Sequence, residues 1–93
     1  MKQIWKYPLE VTDLQEIYAP ADAQFISVLV QREQIYLYAI VSPDKEEREK
    51  FGVRIVGTGH PLMADAGDDH TWRFIGTVGM FGGKLVWHVF VEK

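Results

Sequence analysis

The sequence predicts an all-β fold with little helix, a small antiparallel β-sandwich or partly open barrel of about six strands. Several segments alternate apolar and polar side chains with a period of two, and they are rich in β-branched and aromatic residues, as half-buried strands are. Turn residues separate these segments, and no stretch has the apolar spacing of a long amphipathic helix. At 93 residues the chain is expected to form a single domain, 1–93.

The first strands are predicted in the amino-terminal half of the chain. Residues 4–8 form an opening strand with Trp5 and Tyr7 on one side, and the proline in it indicates an edge strand or a strand end. Residues 24–32 and 35–41 alternate along their whole length. The short linker between these two strands suits a hairpin, although it lacks the glycine or asparagine that usually occupies such a turn.

Two further segments of this half have less regular patterns. Residues 14–18 fit a strand and a helical turn equally well. Residues 44–50 follow a proline and begin with a capping aspartate, as a short helix does, but they carry little apolar surface for a helix to bury. We interpret 44–50 as a solvated turn that joins two strands, with a short helix as the alternative.

Three more strands are predicted in the carboxy-terminal half, at residues 51–58, 71–78 and 85–91. The Gly82-Gly83 pair marks the turn before the last strand, so the last two strands form a terminal hairpin. Uninterrupted alternation places every second residue on the same face of a strand. The predicted faces group Phe25 with Ser27 and Leu29, Trp72 with Phe74 and Gly76, and Leu85 with Trp87, Val89 and Val91.

Composition narrows the functional classes. The absence of cysteine excludes disulfides, thiolate zinc sites and cysteine nucleophiles, and a reducing cytoplasm is the expected compartment. Neither a signal peptide nor a membrane-spanning stretch is predicted, so we expect a soluble protein. The formal net charge of -3 and the dispersed basic residues argue against general nucleic-acid binding. A local basic patch would need folding to gather Lys6, Arg54, Arg73 and Lys84.

A glycine-rich turn is the main candidate for ligand contacts. In Gly57-Thr58-Gly59-His60 the glycines would permit an anionic group to approach the backbone amides and the threonine hydroxyl closely. The segment lacks the lysine and the glycine spacing of a P-loop, and a tight turn ended by Pro61 is the structural alternative. Aromatic residues beyond those that fill the core would line a pocket or a subunit contact, whereas core or cross-strand packing is the first expectation for any single one. The strands offer Trp5, Tyr7, Tyr36, Tyr38 and Trp87 for this role.

Histidine and aspartate residues are the candidates for metal binding or acid–base chemistry. His60, Asp68, Asp69 and His70 would serve a metal-dependent phosphodiesterase, but their spacing matches no known metal-ligand motif. His88 alternates with apolar neighbours, which is typical of a hydrogen-bonded histidine on a half-buried face; pairing with a phosphate or a carboxylate is the functional alternative. We therefore predict no catalytic residue, no metal and no cofactor.

Four segments together resemble a known family. They are the run 4–13 (IWKYPLEVTD), the turn 57–61 (GTGHP), the strand 74–78 (FIGTV) and the closing strand 85–90 (LVWHVF). Over nearly its whole length the chain is similar to a family of short, uncharacterised proteins of bacteriophages and prophages. The resemblance implies no established reaction. It implies a protein that acts in the cytoplasm of the host cell.

By analogy with other small phage proteins, the resemblance implies a non-enzymatic accessory protein that sequesters a small nucleotide-derived signal of host defence. Aromatic residues would stack on a base while the glycine-rich turn and arginines meet phosphate. The candidate ligand-binding residues are Trp5, Tyr7, Arg54, Thr58, Gly59, His60, Arg73, Trp87 and His88. The alternative is an interaction or structural module that uses the same aromatic residues to bind a host protein or a second copy of the chain. The metal-dependent phosphodiesterase is the third hypothesis.

Overall fold

The computed structural model describes residues 1–62 and 71–93. These residues form seven strands, namely β1 (Gln3–Leu9), β2 (Leu14–Pro20), β3 (Gln24–Gln31), β4 (Gln34–Val41), β5 (Arg48–Gly57), β6 (Trp72–Met80) and β7 (Leu85–Glu92). No helix occurs in this part of the chain, and none there could therefore cross a membrane. The all-β prediction is confirmed, with one strand more than expected.

The strands form two antiparallel sheets that pack as an open sandwich. The three-stranded sheet has the order β1-β4-β3, and the four-stranded sheet has the order β2-β5-β7-β6. On one side of the sandwich β3 packs against β6, where Arg73 Nη2 donates a hydrogen bond to the Phe25 carbonyl oxygen at 2.5 Å. The strands β1 and β2 are the two remaining sheet edges. The predicted terminal hairpin is present as β6 and β7.

The core lies between the inner faces of the two sheets. The central strand of the three-stranded sheet, β4, alternates buried with half-buried residues along its whole length. Phe25 packs edge-to-face against Tyr7 and Phe51, with ring centroids 6.4 Å and 5.1 Å apart. Burial of this apolar surface is the main force that holds the sheets together. The most deeply buried side chains include Ile35, Leu37, Val41, Val53, Val89 and Val91.

Two β-bulges interrupt the alternation that the sequence predicts. The register of β3 against β4 shifts between Phe25 and Ser27, and that of β6 against β7 shifts between Phe74 and Gly76. Phe25 is buried whereas Leu29 is 50% exposed. The predicted faces of β3 and β6 are therefore wrong beyond each bulge, because one extra residue moves every later side chain to the opposite face. The faces predicted for β7 agree with its burial, since Val89 and Val91 belong to the core cluster and Trp87 packs against it.

The two segments with irregular patterns are both part of the sheet framework. Residues 14–18 belong to β2 and pair with β5. Lys45 N–H donates to the Ser42 carbonyl oxygen at 3.0 Å in a single turn, and β5 begins at Arg48. The interpretation of 44–50 as a turn is thus correct for 44–47 and wrong for 48–50. Residues 48–50 are extended because they pair with the end of β2.

The β3–β4 hairpin has a two-residue turn formed by Arg32 and Glu33. Both residues have positive φ, 51° and 62°. Positive φ at both central positions is the type I′ arrangement, whose twist matches that of the paired strands. The Glu33 carboxylate also accepts a hydrogen bond from Phe81 N–H at 2.8 Å, which links this turn to the turn between β6 and β7.

Replacing Arg32 with asparagine is expected to stabilise the protein by about 0.5 kcal/mol, because asparagine adopts the left-handed region more readily than arginine. Thermal unfolding followed by circular dichroism should then show a rise in Tm of about 2–4 °C. Gln31→Asn in the adjoining strand is the control and should not raise the Tm. Equal Tm values for Arg32→Asn and the unaltered protein would contradict the assigned turn.

A side-chain contact joins the β2–β3 connection to the end of β4. Ser42 Oγ donates to Asp22 Oδ2 at 2.5 Å, and Ser42 N–H approaches Asp22 Oδ1 at 3.4 Å. The hydroxyl stabilises the charged carboxylate and lowers the pKa of Asp22 below its ordinary value of 3.8.

Replacing Ser42 with alanine is therefore expected to lower the free energy of unfolding at neutral pH and to have little effect in acid. Because the pKa of Asp22 is lower in the folded than in the unfolded state, this stabilisation is complete above the unfolded pKa and is lost as the pH falls through the folded pKa. Urea unfolding at about pH 7 and about pH 2.5 measures the difference. Asp22→Asn should remove the same pH dependence. A deficit in Ser42→Ala that stays constant across this range would contradict the assignment.

Candidate functional site

A tight turn follows β5 and positions the first candidate residues. His60 N–H donates to the Gly57 carbonyl oxygen at 3.1 Å, and Gly59 has a φ of 83°, as the third residue of a type II turn has. A side chain at this φ would be strained, so Gly59 serves the turn itself. The turn brings the His60 ring to the Trp87 ring of β7, edge-to-face with centroids 6.3 Å apart.

The two rings approach each other over Gly57. A Cβ atom added to Gly57 would lie 2.6 Å from His60 Nδ1 and 3.0 Å from Trp87 Cζ3. Gly57 is also the residue opposite Trp87 in the β5–β7 ladder. Because Gly57 has no side chain, the His60 and Trp87 rings are both able to pack against its backbone.

Two clefts of about 280 Å³ each open beside these rings, and both are lined by Gly57, His60 and Trp87. The first cleft is bounded by the β1–β2 connection, and Asp13 is one of its lining residues. The second is bounded by the turn between β6 and β7, and we call it the Lys84 cleft. Its remaining lining residues are Thr58, Lys84, Leu85 and Val86.

His88 of β7 supports the turn through hydrogen bonds to two threonine hydroxyls. Its Nε2 atom lies 2.8 Å from Thr58 Oγ1, and its Nδ1 atom lies 2.9 Å from Thr77 Oγ1. Each hydroxyl is able to donate or accept, so both ring nitrogens are hydrogen-bonded in either tautomer. His88 of β7 thus links the turn after β5 to β6 and orients Thr58, and it has no free nitrogen for a ligand.

Arg54 lies further along β5 and is engaged by protein groups. Its side chain is buried, with the guanidinium carbon 4.8 Å from the centre of the Trp72 ring and Nη1 3.5 Å from Asp13 Oδ2. Because the Asp13 side chain is 56% exposed, solvent weakens this ion pair. The guanidinium packs on Trp72 and does not line the Lys84 cleft.

Besides Arg54, three of the predicted residues lie away from the turn. Trp5 and Tyr7 are on β1 in the other sheet, where both pack against the core. Burial raises the pKa of the Tyr7 hydroxyl. Arg73 joins β6 to the backbone of β3. The structure therefore brings together Thr58, Gly59, His60, Trp87 and His88, and it places Trp5, Tyr7, Arg54 and Arg73 elsewhere.

Folding does not gather the four dispersed basic residues into one patch. Lys6 is on the three-stranded sheet, where its Nζ atom lies 4.3 Å from the centre of the Tyr36 ring. Arg54 packs on Trp72 of β6, whereas Arg73 donates a hydrogen bond to the backbone of β3. Only Lys84 lines the cleft beside Trp87.

No metal centre is found among residues 1–62 and 71–93, where no three histidine, aspartate or glutamate side chains come close enough to hold an ion. Asp68, Asp69 and His70, which the phosphodiesterase hypothesis requires, lie outside the described residues.

Comparison with known proteins identifies the family of the chain. A family model described as a domain of unknown function (DUF7352) matches residues 1–93. The chain belongs to this family. No curated protein and no solved structure matches it. The predicted membership of an uncharacterised family is confirmed by the DUF7352 match.

In this DUF7352 chain the Lys84 cleft combines a flat aromatic ring, an imidazole, a hydroxyl and an exposed ammonium group. Sequence reasoning did not include Lys84 among the candidate ligand-binding residues. The pairing of β5 with β7 is what brings Lys84 to the site. This pairing extends to a hydrogen bond from Thr58 N–H to the Val86 carbonyl oxygen at 3.3 Å. That pairing sets the turn after β5 beside the residues that precede β7.

Proposed function

We propose that this protein is a binding module for a small ligand that combines a flat ring with an anionic group, most simply a nucleotide, and that the ligand occupies the Lys84 cleft. The observation that carries the proposal is the convergence of Trp87, His60, Thr58 and Lys84 around Gly57. An aromatic surface beside a few polar groups is the usual composition of a small-molecule site.

The charge of the cleft favours an anion. Among the described residues that line it, Lys84 is the one with a full charge and none is acidic. The described lining of the neighbouring cleft includes Asp13 and no lysine or arginine, so that cleft suits a phosphate less well. When His88 Nε2 carries the ring proton, the Thr58 hydroxyl accepts a hydrogen bond from it and keeps its own O–H to donate to a ligand oxygen. An anionic group is thus expected beside Lys84 and Thr58, with the ring against Trp87 and His60.

The described residues of the cleft support binding more than turnover. His88 is fully hydrogen-bonded, and His60 contacts an aromatic ring and no carboxylate in the described contacts. A protein that binds a nucleotide without converting it would act by lowering the free concentration of that molecule. With the sequence resemblance to short phage proteins, we extend the proposal to sequestration of a nucleotide-derived host defence signal.

Calorimetric titration with a panel of mono-, di- and cyclic nucleotides is expected to show binding that Lys84→Ala weakens about tenfold, since one charge-assisted contact is worth about 1.4 kcal/mol. Ligand binding should also raise the Tm of the unaltered protein. Lys45→Ala is the matched control, because Lys45 is an exposed lysine on the β4–β5 connection. It should leave the affinity unchanged.

Heating the complex and identifying the released nucleotide by mass spectrometry separates binding from catalysis. An unaltered nucleotide supports the proposal, whereas a hydrolysed product contradicts the binding role. The absence of binding by every nucleotide in the panel, or an equal loss of affinity in Lys84→Ala and Lys45→Ala, would contradict the site.

A further inference from the structure

The two sheet edges formed by β1 and β2 differ in their protection. On the other side of the sandwich β3 and β6 pack against each other, whereas β1 and β2 have a strand on only one side among the described residues. Lysine and proline commonly protect an exposed edge from pairing. β1 carries Lys6 and Pro8 within its length, but the single proline of β2 is its last residue, Pro20.

The backbone of β2 presents a row of hydrogen-bonding groups at this edge. Ala21 N–H donates to the carbonyl oxygen of Glu47, the residue directly opposite in the ladder, at 2.9 Å. Because hydrogen-bonded pairs alternate in an antiparallel ladder, the odd-numbered residues of β2 bond to β5. The N–H and C=O groups that point outward therefore belong to Leu14, Glu16 and Tyr18.

The other side of β5 supports this assignment independently. Thr58 N–H donates to the carbonyl oxygen of Val86, again the residue opposite in the ladder. The even-numbered residues of β5 thus bond to β7 and leave the odd-numbered residues for β2. Both ladders agree on which groups of β2 face outward.

We propose that β2 pairs with the β2 strand of a second copy of this chain, antiparallel about a two-fold axis, with Ile17 opposite the second copy's Ile17. The two four-stranded sheets then join into one continuous sheet across the dimer. The Lys84 cleft, which lies between β5 and β7, takes no part in this contact.

This register uses almost every outward group. Glu16 lies opposite the second copy's Tyr18, and the two residues exchange both N–H to carbonyl bonds. Leu14 N–H meets the carbonyl oxygen of the second copy's Pro20. Since proline has no N–H, the Leu14 carbonyl oxygen is the only outward group of Leu14, Glu16 and Tyr18 without a donor in the partner strand.

Charge and apolar exposure select the same register. Lys50 Nζ lies 5.7 Å from the centre of the Tyr18 ring and so extends towards the edge. Each Glu16 carboxylate then approaches Lys50 of the other copy across Tyr18. A slip of two residues in one direction would set Glu16 opposite Glu16, a like-charge pair. A slip of two residues in the other direction would set Glu16 opposite Pro20, which has no N–H to donate. Leu14 and Tyr18, 51% and 63% exposed, gain apolar neighbours in the dimer.

Sedimentation equilibrium of the full chain, from micromolar to millimolar concentration, tests the pairing. The unaltered protein is expected to form dimers, and Glu16→Lys and Lys50→Glu should each weaken dimerisation at least about tenfold by placing like charges together. The double variant Glu16→Lys with Lys50→Glu should recover it. A monomeric unaltered protein, or single variants that dimerise as well as the unaltered protein, would overturn the proposal.

Two further variants exclude loss of folding as the cause. Glu16→Pro removes an outward N–H and no bond to β5, so it should keep the circular dichroism spectrum and abolish the dimer. Lys6→Glu on the other edge should leave the dimer intact. Failure of the double charge variant to dimerise, or a dimer that survives Glu16→Pro, would overturn the register. Nucleotide binding by Glu16→Pro should be unchanged, so the two proposals fail separately.

Discussion

Replacing Leu37 with alanine is expected to cost about 3 kcal/mol of folding free energy, the largest effect of any single truncation considered. Leu37 is fully buried at the centre of β4, where it lies opposite Tyr7 on one side and Val28 on the other. Its removal loses apolar burial and leaves a cavity that two flanking strands restrain from collapsing. For a domain of this length such a loss is a large share of the total stability.

Leu29→Ala is the matched control for this experiment. The same side chain is removed from the same sheet, but Leu29 is 50% exposed on the outer face beyond the bulge in β3. Its truncation should cost less than about 1 kcal/mol. Urea unfolding of both variants at equal protein concentration, followed by tryptophan fluorescence, measures the difference. Similar losses for the two variants would mean that the inner and outer faces are assigned wrongly.

The sequence was sufficient to predict the class of the fold, because period-two alternation and turn residues are local properties. The β6–β7 hairpin follows directly from the Gly82-Gly83 pair, and both glycines have positive φ, 69° and 87°. Segment 14–18 was ambiguous from its own residues. It is a strand because β5 offers it a pairing partner, which a short segment does not encode.

The hairpin of β3 and β4 was predicted from its short linker, but the two bulges and the type of the β3–β4 turn were not predictable in the same way. Nothing in the residues around Ile26 or Ile75 distinguishes a bulged position from an ordinary strand position. Arg32 and Glu33 adopt left-handed conformations without glycine or asparagine, since the two strands are held together by tertiary packing. Tertiary context therefore decides details that local preference leaves undetermined.

The candidate site was predictable in part for a related reason. Thr58, Gly59 and His60 are neighbours in the chain, and their turn follows from the residues themselves. Trp87 and Lys84 join them only because β7 pairs with β5, so the site depends on strand order. Trp5 and Tyr7 were grouped with Trp87 for their chemistry, but β1 belongs to the other sheet.

Replacing Gly57 with valine is expected to destabilise the protein by about 2–3 kcal/mol and to abolish ligand binding in the Lys84 cleft. The added Cβ atom meets His60 Nδ1 at 2.6 Å and Trp87 Cζ3 at 3.0 Å, and the valine methyl groups extend the overlap. The exposed His60 ring is able to move away. The Trp87 ring packs against the core, so it has less freedom to shift.

Gly79→Val is the control for the general effect of filling a strand glycine. The nearest atoms to a Cβ at Gly79 lie 3.6 Å and 3.8 Å away, which is ordinary van der Waals contact. Its effect on stability should therefore be within about 0.5 kcal/mol. A cost for Gly57→Val no greater than that for Gly79→Val would contradict the close approach of the two rings to Gly57.

A double-mutant cycle separates the two overlaps at Gly57. Gly57→Ala alone is expected to cost about 1 kcal/mol, and at least half of this cost should disappear in a His60→Ala background, where the closest overlap no longer exists. The part of the cost that remains measures the overlap of the added methyl group with the Trp87 ring. Because the added methyl group of Gly57→Ala occupies space at the base of the Lys84 cleft, nucleotide affinity should fall even in the His60→Ala background, where stability is recovered. An unchanged affinity in a folded Gly57→Ala variant would place the ligand outside this cleft, while additive stability losses in the cycle would show that His60 does not contact Gly57 in solution.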